Sequence, residues 1–229
     1  MAVPSGCMFG FVGPNGAGKT TTLSMVTGLL RPDYGTIRLL DFDVWEHPVA
    51  AKALIGVLPD GLRLFDRLSG LEMLQLSAEL HGISPQVAHE RAQQLLEALD
   101  LAKDADIMVA DYSAGMTKKI GLACALVHNP KLLILDEPFE AVDPVSGQVI
   151  REILRQFVAA GGTVIMSSHV MELVETLCDV VGVIAAGHLL AAGPLESVRA
   201  GKSLQDRFVE LVGGRDLDGE GLSWLGQGH

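Results

Sequence analysis

The strongest constraint in this chain is a run near its start, Gly13-Pro14-Asn15-Gly16-Ala17-Gly18-Lys19-Thr20, with Thr21 following. An apolar segment, residues 8–12, precedes the run, and residues 21–30 after it are patterned like a helix. Gly13, Gly16 and Gly18 allow backbone conformations that a side chain would block, so successive N–H groups can turn inward on one point. A helix starting there directs its positive end at the same point. The ligand chemistry that fits is a phosphate chain. Lys19 would reach the β and γ phosphates, and the hydroxyl of Thr20 would hold Mg²⁺. A glycine-rich turn that merely joins strand to helix is the bland alternative, and it is weakened because every constrained position is filled in strand-loop-helix context.

At 229 residues the chain can bury one large core with room for a subdomain, and its apolar fraction of 48% is that of a globular protein. Acidic residues outnumber basic ones, 28 to 17, for a net charge of −11 with no basic stripe, which argues against a surface that tracks nucleic-acid phosphates. Cys7, Cys124 and Cys178 are widely spaced and odd in number, the usage of a reduced cytosolic protein without metal-ligand spacing. The longest uncharged stretch, residues 180–195, is broken by Gly182, Gly187, Gly193 and Pro194 and reads as a strand pair, not a membrane span. The first residues lack a basic region followed by an apolar core, so no signal peptide is expected.

Residues 31–35 form a turn, residues 36–40 a short apolar strand and residues 54–59 a buried strand that leads to Asp60. Residues 67–111 then show helical periodicity without a strand. The segment opens on the capping box Ser69-Gly70-Leu71-Glu72 and reopens at Ser84-Pro85. A helical subdomain over about 67–130 is therefore inserted in an α/β core. The α/β pattern resumes with residues 131–135, a helix from Asp143-Pro144 to about residue 160, and a strand at 163–167. The domain is expected to end near residue 212, with a loosely held acidic tail at 213–229.

Beyond the loop, Asp136 and Glu137 stand at the exit of an apolar strand, where parallel-sheet proteins place their chemistry. Asp136 suits Mg²⁺, and Glu137 can polarise a water for attack on the γ phosphate. An exposed acidic turn is the competing explanation, weakened by the apolar run before it. His169, after Ser167-Ser168, is in isolation more often a plain helix-start residue, and Ser113-Ala114-Gly115-Met116 in isolation is an ordinary N-cap.

Together these stations resemble the ATP-binding-cassette ATPases, in the family's order and over nearly the whole chain. Residues 13–20 match Walker A, residues 132–136 with Glu137 match Walker B and its catalytic glutamate, residues 141–144 match the D-loop, and His169 matches the switch histidine. Ser113-Ala114-Gly115-Met116 stands where the family signature lies. Met116 and the basic run after it look like exporter-type cassettes that work with separate membrane subunits. The resemblance implies an α/β, P-loop NTPase core with a mostly parallel sheet and the helical insertion. It implies ATP and Mg²⁺ as ligands, with Asp143 of the D-loop among the nucleotide-binding residues, and two subunits that sandwich two ATP molecules, each held by one Walker A and the other subunit's signature. It also implies an integral membrane permease as partner, and a cytoplasmic, peripheral location on the inner face of the cell membrane.

The sequence departs from the family at three places. Asp60 stands where the family has Gln or Glu; it can approach Mg²⁺ but, when ionised, cannot donate a hydrogen bond. Ala114 replaces a signature glycine. The chain begins twelve residues before Gly13, and the family's leading antiparallel strands and adenine-stacking aromatic have no counterpart there. Either that stretch is missing, or base recognition is weaker and ATP is poorly distinguished from GTP. Tyr34 and Trp45 are the nearest aromatics in sequence, and both read as packing residues. Three functions fit: an ATP-hydrolysing motor of an exporter, a nucleotide-sensing regulatory subunit with little turnover, and a soluble cassette in cofactor assembly. Glu137 and His169 favour the first.

Overall fold

A computed structural model describes residues 1–213. Strand β1 (Met8–Val12) is buried along its whole length and runs into the loop that opens helix α1 (Lys19–Val26). The helix thus starts at the lysine and stops short of the expected residue 30, because Gly28 turns the chain at a φ of 69°. The expected strand at 36–40 is reduced to β2 (Arg38–Leu39), which pairs only with β3 (Phe42–Asp43) in a separate antiparallel ribbon. Helix α2 (Pro48–Ala53) returns the chain to β4 (Ile55–Leu58).

The helical insertion follows as α3 (Gly70–Leu80), α4 (Pro85–Ala98) and α5 (Ala114–Leu126). Both halves of the Ser69–Glu72 capping box are formed, whereas Ser84 precedes α4 without a side-chain cap. Then come β5 (Leu132–Leu135), α6 (Pro144–Ala159), β6 (Thr163–Ser168), α7 (Met171–Leu177), β7 (Val180–Ala185), β8 (His188–Pro194), α8 (Leu195–Arg199) and α9 (Leu204–Val212). Gly213 closes α9 at a φ of 73°; the rest of the expected tail lies outside the described residues.

The main sheet has six strands in the order β4-β5-β6-β1-β7-β8, parallel except for the β7-β8 hairpin. Alternation within strands divides the core in two. Met8 and Val12 face one cluster with Leu133, Leu135 and the helices α3 to α7, while Phe9 and Phe11 face another with Ile134, Ile165 and Leu23 of α1. Burial on both faces explains why these strands read as continuous apolar runs. Parallel pairing also brings the ends of β4, β5, β6 and β1 to one edge, with Leu58 opposite Leu135, Leu135 opposite Met166 and Val12 opposite Ser168.

Helix α5 lies so close to β4 that a Cβ on Gly56 would sit 2.0 Å from the carbonyl oxygen of Ala125. Gly56→Ala is therefore expected to destabilise the protein by about 1–3 kcal/mol, measured by urea unfolding, because α5 must shift to make room. Beyond α5, His128 donates from Nε2 to the Ile55 carbonyl at 3.0 Å and stacks on His81, with ring centroids 3.9 Å apart. Its Nδ1 is buried without a partner. Burial, and then the neighbouring His81, lower its pKa from the ordinary histidine value. The unfolded chain thus binds a proton more readily, so this stabilising contribution is complete above about pH 6.5 and is lost as pH falls toward the folded value. The thermal midpoint should drop between pH 7.5 and 5.5, and His128→Gln should flatten that drop.

Candidate functional site

The loop after β1 owes its shape to local sterics and to one neighbour. Gly16 and Gly18 have φ of 77° and 103°, and Gly18 stands at the N-cap of α1. A Cβ on Gly13 would lie 2.2 Å from the Ile184 carbonyl, so this position must be glycine for the loop to pass β7. Lys19 is only 6% exposed, and its Nζ donates to the carbonyl of Gly13 at 2.7 Å and to that of Pro14 at 3.3 Å.

The loop forms one wall of a cleft of about 350 Å³. Asn15, Gly16, Ala17, Gly18, Lys19, Thr20 and Thr21 line it from one side, and Asp60, Glu137, Glu140 and His169 from the other. These side chains come from the exits of four neighbouring strands. Asp136, 5% exposed, is not among the lining residues; its Oδ1 accepts a hydrogen bond from Ser167 Oγ. Glu137 Oε2 lies 3.0 Å from His169 Nδ1, and Oε1 lies 3.6 Å from Lys19 Nζ. The latter distance is ion-pair range but too long for a hydrogen bond, so Oε1 is buried with no hydrogen-bond partner. Glu137 also holds a φ of 46°, a left-handed conformation unusual for a non-glycine residue.

The residues of the 113–116 motif lie elsewhere. Ser113 caps α5 by accepting from the Met116 N–H at 3.3 Å. Gly115 packs against the start of α6, where a Cβ would come within 2.8 Å of Asp143 Oδ2 and Ser146 Oγ. Asp143 caps α6, accepting from the N–H groups of Val145 and Ser146, both at 3.0 Å. Hydrogen bonds from Ser146 hold its carboxyl below the ordinary aspartate value. Neither Asp143 nor the residues 113–116 line the loop's cleft; Ala114 instead lines an adjoining cavity of about 540 Å³ with Asp60, Thr117, Lys118 and Glu140.

The family model described as "ABC transporter" matches residues 1–140. The chain belongs to the ABC transporter family. It is 38% identical over 192 residues to the linearmycin resistance ATP-binding protein LnrL of Bacillus subtilis (strain 168), covering 84% of this chain and 62% of LnrL. It is 35% identical over 207 residues to the ABC transporter ATP-binding protein NatA of the same organism, covering 90% of this chain and 84% of NatA. A solved ATP-binding subunit of an ABC transporter superposes with a TM-score of 0.86 at 30% identity, covering 93% of this chain and 90% of that one. The chain thus spans less than two thirds of LnrL but most of NatA.

Within this cassette, no cluster of three or more His, Cys, Asp or Glu side chains among the described residues is arranged to hold a metal by itself. That composition fits a Mg²⁺ carried with the nucleotide, which takes one or two carboxylates, substrate oxygens and waters. Asp136, Thr20 and Asp60 are the residues of the chain that would meet it. Asp60 Oδ1 already accepts from the Gly61 N–H at 2.8 Å. Neither Tyr34 nor Trp45 lines the cleft. Trp45 packs, with the Arg31 guanidinium 5.8 Å from its ring, but Tyr34 is 94% exposed and is not a packing residue.

The residues that sequence reasoning passed over are Ser167, Lys118 and Glu140. Ser167 was visible only as the neighbour of His169 and Lys118 only as one of a basic run, and Glu140 was not singled out. No local pattern marks Ser167 or Lys118, since each acquires its place from strands or helices distant in sequence.

Proposed function

We propose that this chain is the ATP-binding and ATP-hydrolysing subunit of an exporter, working as a pair of copies around two ATP molecules and driving a separate membrane subunit. The observation that carries the reading is the buried, unpartnered Oε1 of Glu137 on the cleft that holds Lys19 and His169. A carboxylate oxygen that accepts no hydrogen bond from the chain is available to accept a proton from an attacking water. His169, fixed on Oε2, orients the carboxylate and can reach the γ phosphate. Lys19 and the N–H groups of residues 15–20 bind the phosphate chain and offset its charge. Bound Mg²⁺ supplies further neutralisation of the β and γ oxygens.

Pairing of two copies is supported by what the cleft lacks. Ser113 and Ala114 are exposed at the start of α5, outside their own chain's cleft, and a helix N-terminus there is suited to the phosphate of a facing copy. A membrane partner is supported by the helical side. Phe65, Ile107 and Met108 are 59%, 41% and 54% exposed on segments joined by the Ala110–Asp66 and Val109–Leu68 backbone bonds. No described helix is long and apolar enough to cross a membrane. The resistance role in LnrL's name favours efflux. By this reading the chain sits on the inner face of the cell membrane through its partner.

The test is phosphate release by the purified chain. Mg²⁺-dependent release from ATP, with a dimer that forms on ATP addition, is the expected result. ATP binding without release would favour the sensing role, to which Asp60, with one oxygen taken by Gly61, is the observation that points.

A further inference from the structure

We propose that Lys118 is a positioning residue that ties the start of α5 to the general base by holding the backbone of Glu137. The inference rests on the hydrolytic reading above. Lys118 Nζ donates to the Glu137 carbonyl at 3.0 Å, a contact that joins residues nineteen apart in sequence. It makes this bond although Asp60 and Glu140 line the same cavity and would offer it carboxylates. The same carbonyl accepts from the Glu140 N–H at 3.2 Å, and the Glu137 N–H donates to Ser167 Oγ at 2.9 Å. Ser167 in turn bonds Asp136 Oδ1.

Glu137 is therefore clamped on both sides, by Ser167 from β6 and by Lys118 from α5, in a backbone conformation it would not adopt freely, with a φ of 46°. Such a conformation persists only where the surroundings over-determine it. It also sets the direction of the side chain, and so keeps Oε1 in the cleft. Lys118 lies about one turn into a helix whose first residues, Ala114 and the cap Ser113, are exposed. A displacement of that exposed end by a ligand or a facing subunit would be passed through Lys118 to the Glu137 peptide. The clamp thus links the occupancy of the signature to the readiness of the base.

The experiment compares Lys118→Met and Lys118→Arg in the full chain, with steady-state hydrolysis, ATP binding and amide exchange as readouts. Loss of one charge-assisted bond is expected to lower kcat roughly tenfold in Lys118→Met, with KM and the ATP dissociation constant within about twofold of wild type. Lys118→Arg should recover most of the rate, since a guanidinium can reach the same carbonyl. Exchange of the Glu137 amide should quicken in Lys118→Met and remain slow in Lys118→Arg. Wild-type turnover in Lys118→Met overturns the inference and leaves the function standing. A wild-type chain without phosphate release overturns the hydrolytic reading instead, and the clamp is then judged by amide exchange alone: unchanged protection of Glu137 in Lys118→Met refutes it. Equal losses of rate and ATP binding in both variants would show a general packing role and also refute it.

Discussion

Glu137→Gln should bind ATP and all but cease to hydrolyse it. The amide keeps the shape of the carboxylate and can still meet His169 Nδ1, which lies 3.0 Å from Oε2 in the native chain. What it lacks is basicity at the position of Oε1, the atom that has no hydrogen-bond partner and is buried on the cleft. Removal of a general base costs roughly 10²–10⁴-fold in rate. Nucleotide affinity should not fall, because the substitution removes a negative charge from beside the site of the triphosphate. With binding intact and turnover stopped, the ATP-bound pair of subunits should accumulate. Single-turnover phosphate release and sizing chromatography with ATP read the two effects separately. Hydrolysis at the wild-type rate would remove Glu137 as the base and favour the sensing role.

Lys19→Ala should lose nucleotide affinity on the order of tenfold to a hundredfold, from roughly 1.5–3 kcal/mol of charge-assisted bonding. The lysine is buried and tethered to the carbonyls of Gly13 and Pro14, so its ammonium is already desolvated and aimed before a ligand arrives. Truncation removes the charge and also frees the loop's first turn, leaving Glu137 without its 3.6 Å counter-charge. Isothermal titration with Mg²⁺-ATP gives the dissociation constant directly. An unchanged value would refute the assignment of residues 13–20 as the phosphate loop.

Both predictions concern residues already conspicuous in the sequence, and the reason is local. A phosphate loop needs glycines at fixed places and a lysine next to them, because the φ angles of Gly16 and Gly18 are properties of single residues. Likewise Ser69 with Glu72 caps α3, and Asp143, followed by Pro144 at the first helical position, caps α6 through the N–H groups of Val145 and Ser146, so the boundaries at 70 and 144 were legible. The buried parallel strands announced themselves as apolar runs, with Asp136 and Glu137 at the exit of one. The failures were also local: Gly28 ended α1 earlier than its periodicity suggested, and Leu40, at a φ of 51°, turns residues 38–39 back onto Phe42–Asp43 as a separate ribbon.

Sequence alone thus determined the capped helix starts, the buried strands, the loop and the carboxylates that follow the strand. The tertiary structure decided which strand lies beside which, and the order β4-β5-β6-β1 is what brings Asp60, Glu137, His169 and Lys19 to one cleft. It decided too that Ser167 supports Asp136, that Lys118 reaches back to the Glu137 carbonyl, and that residues 113–116 do not line their own chain's phosphate-loop cleft. Glycine conformations and helix caps are fixed by neighbours in the chain, whereas hydrogen bonds such as Lys118 to Glu137 exist only after loop closure and packing have been achieved by the whole core. A hydroxyl or an ammonium carries no mark of its eventual partner in its immediate sequence, and only the sheet order and the packing of α5 supply it.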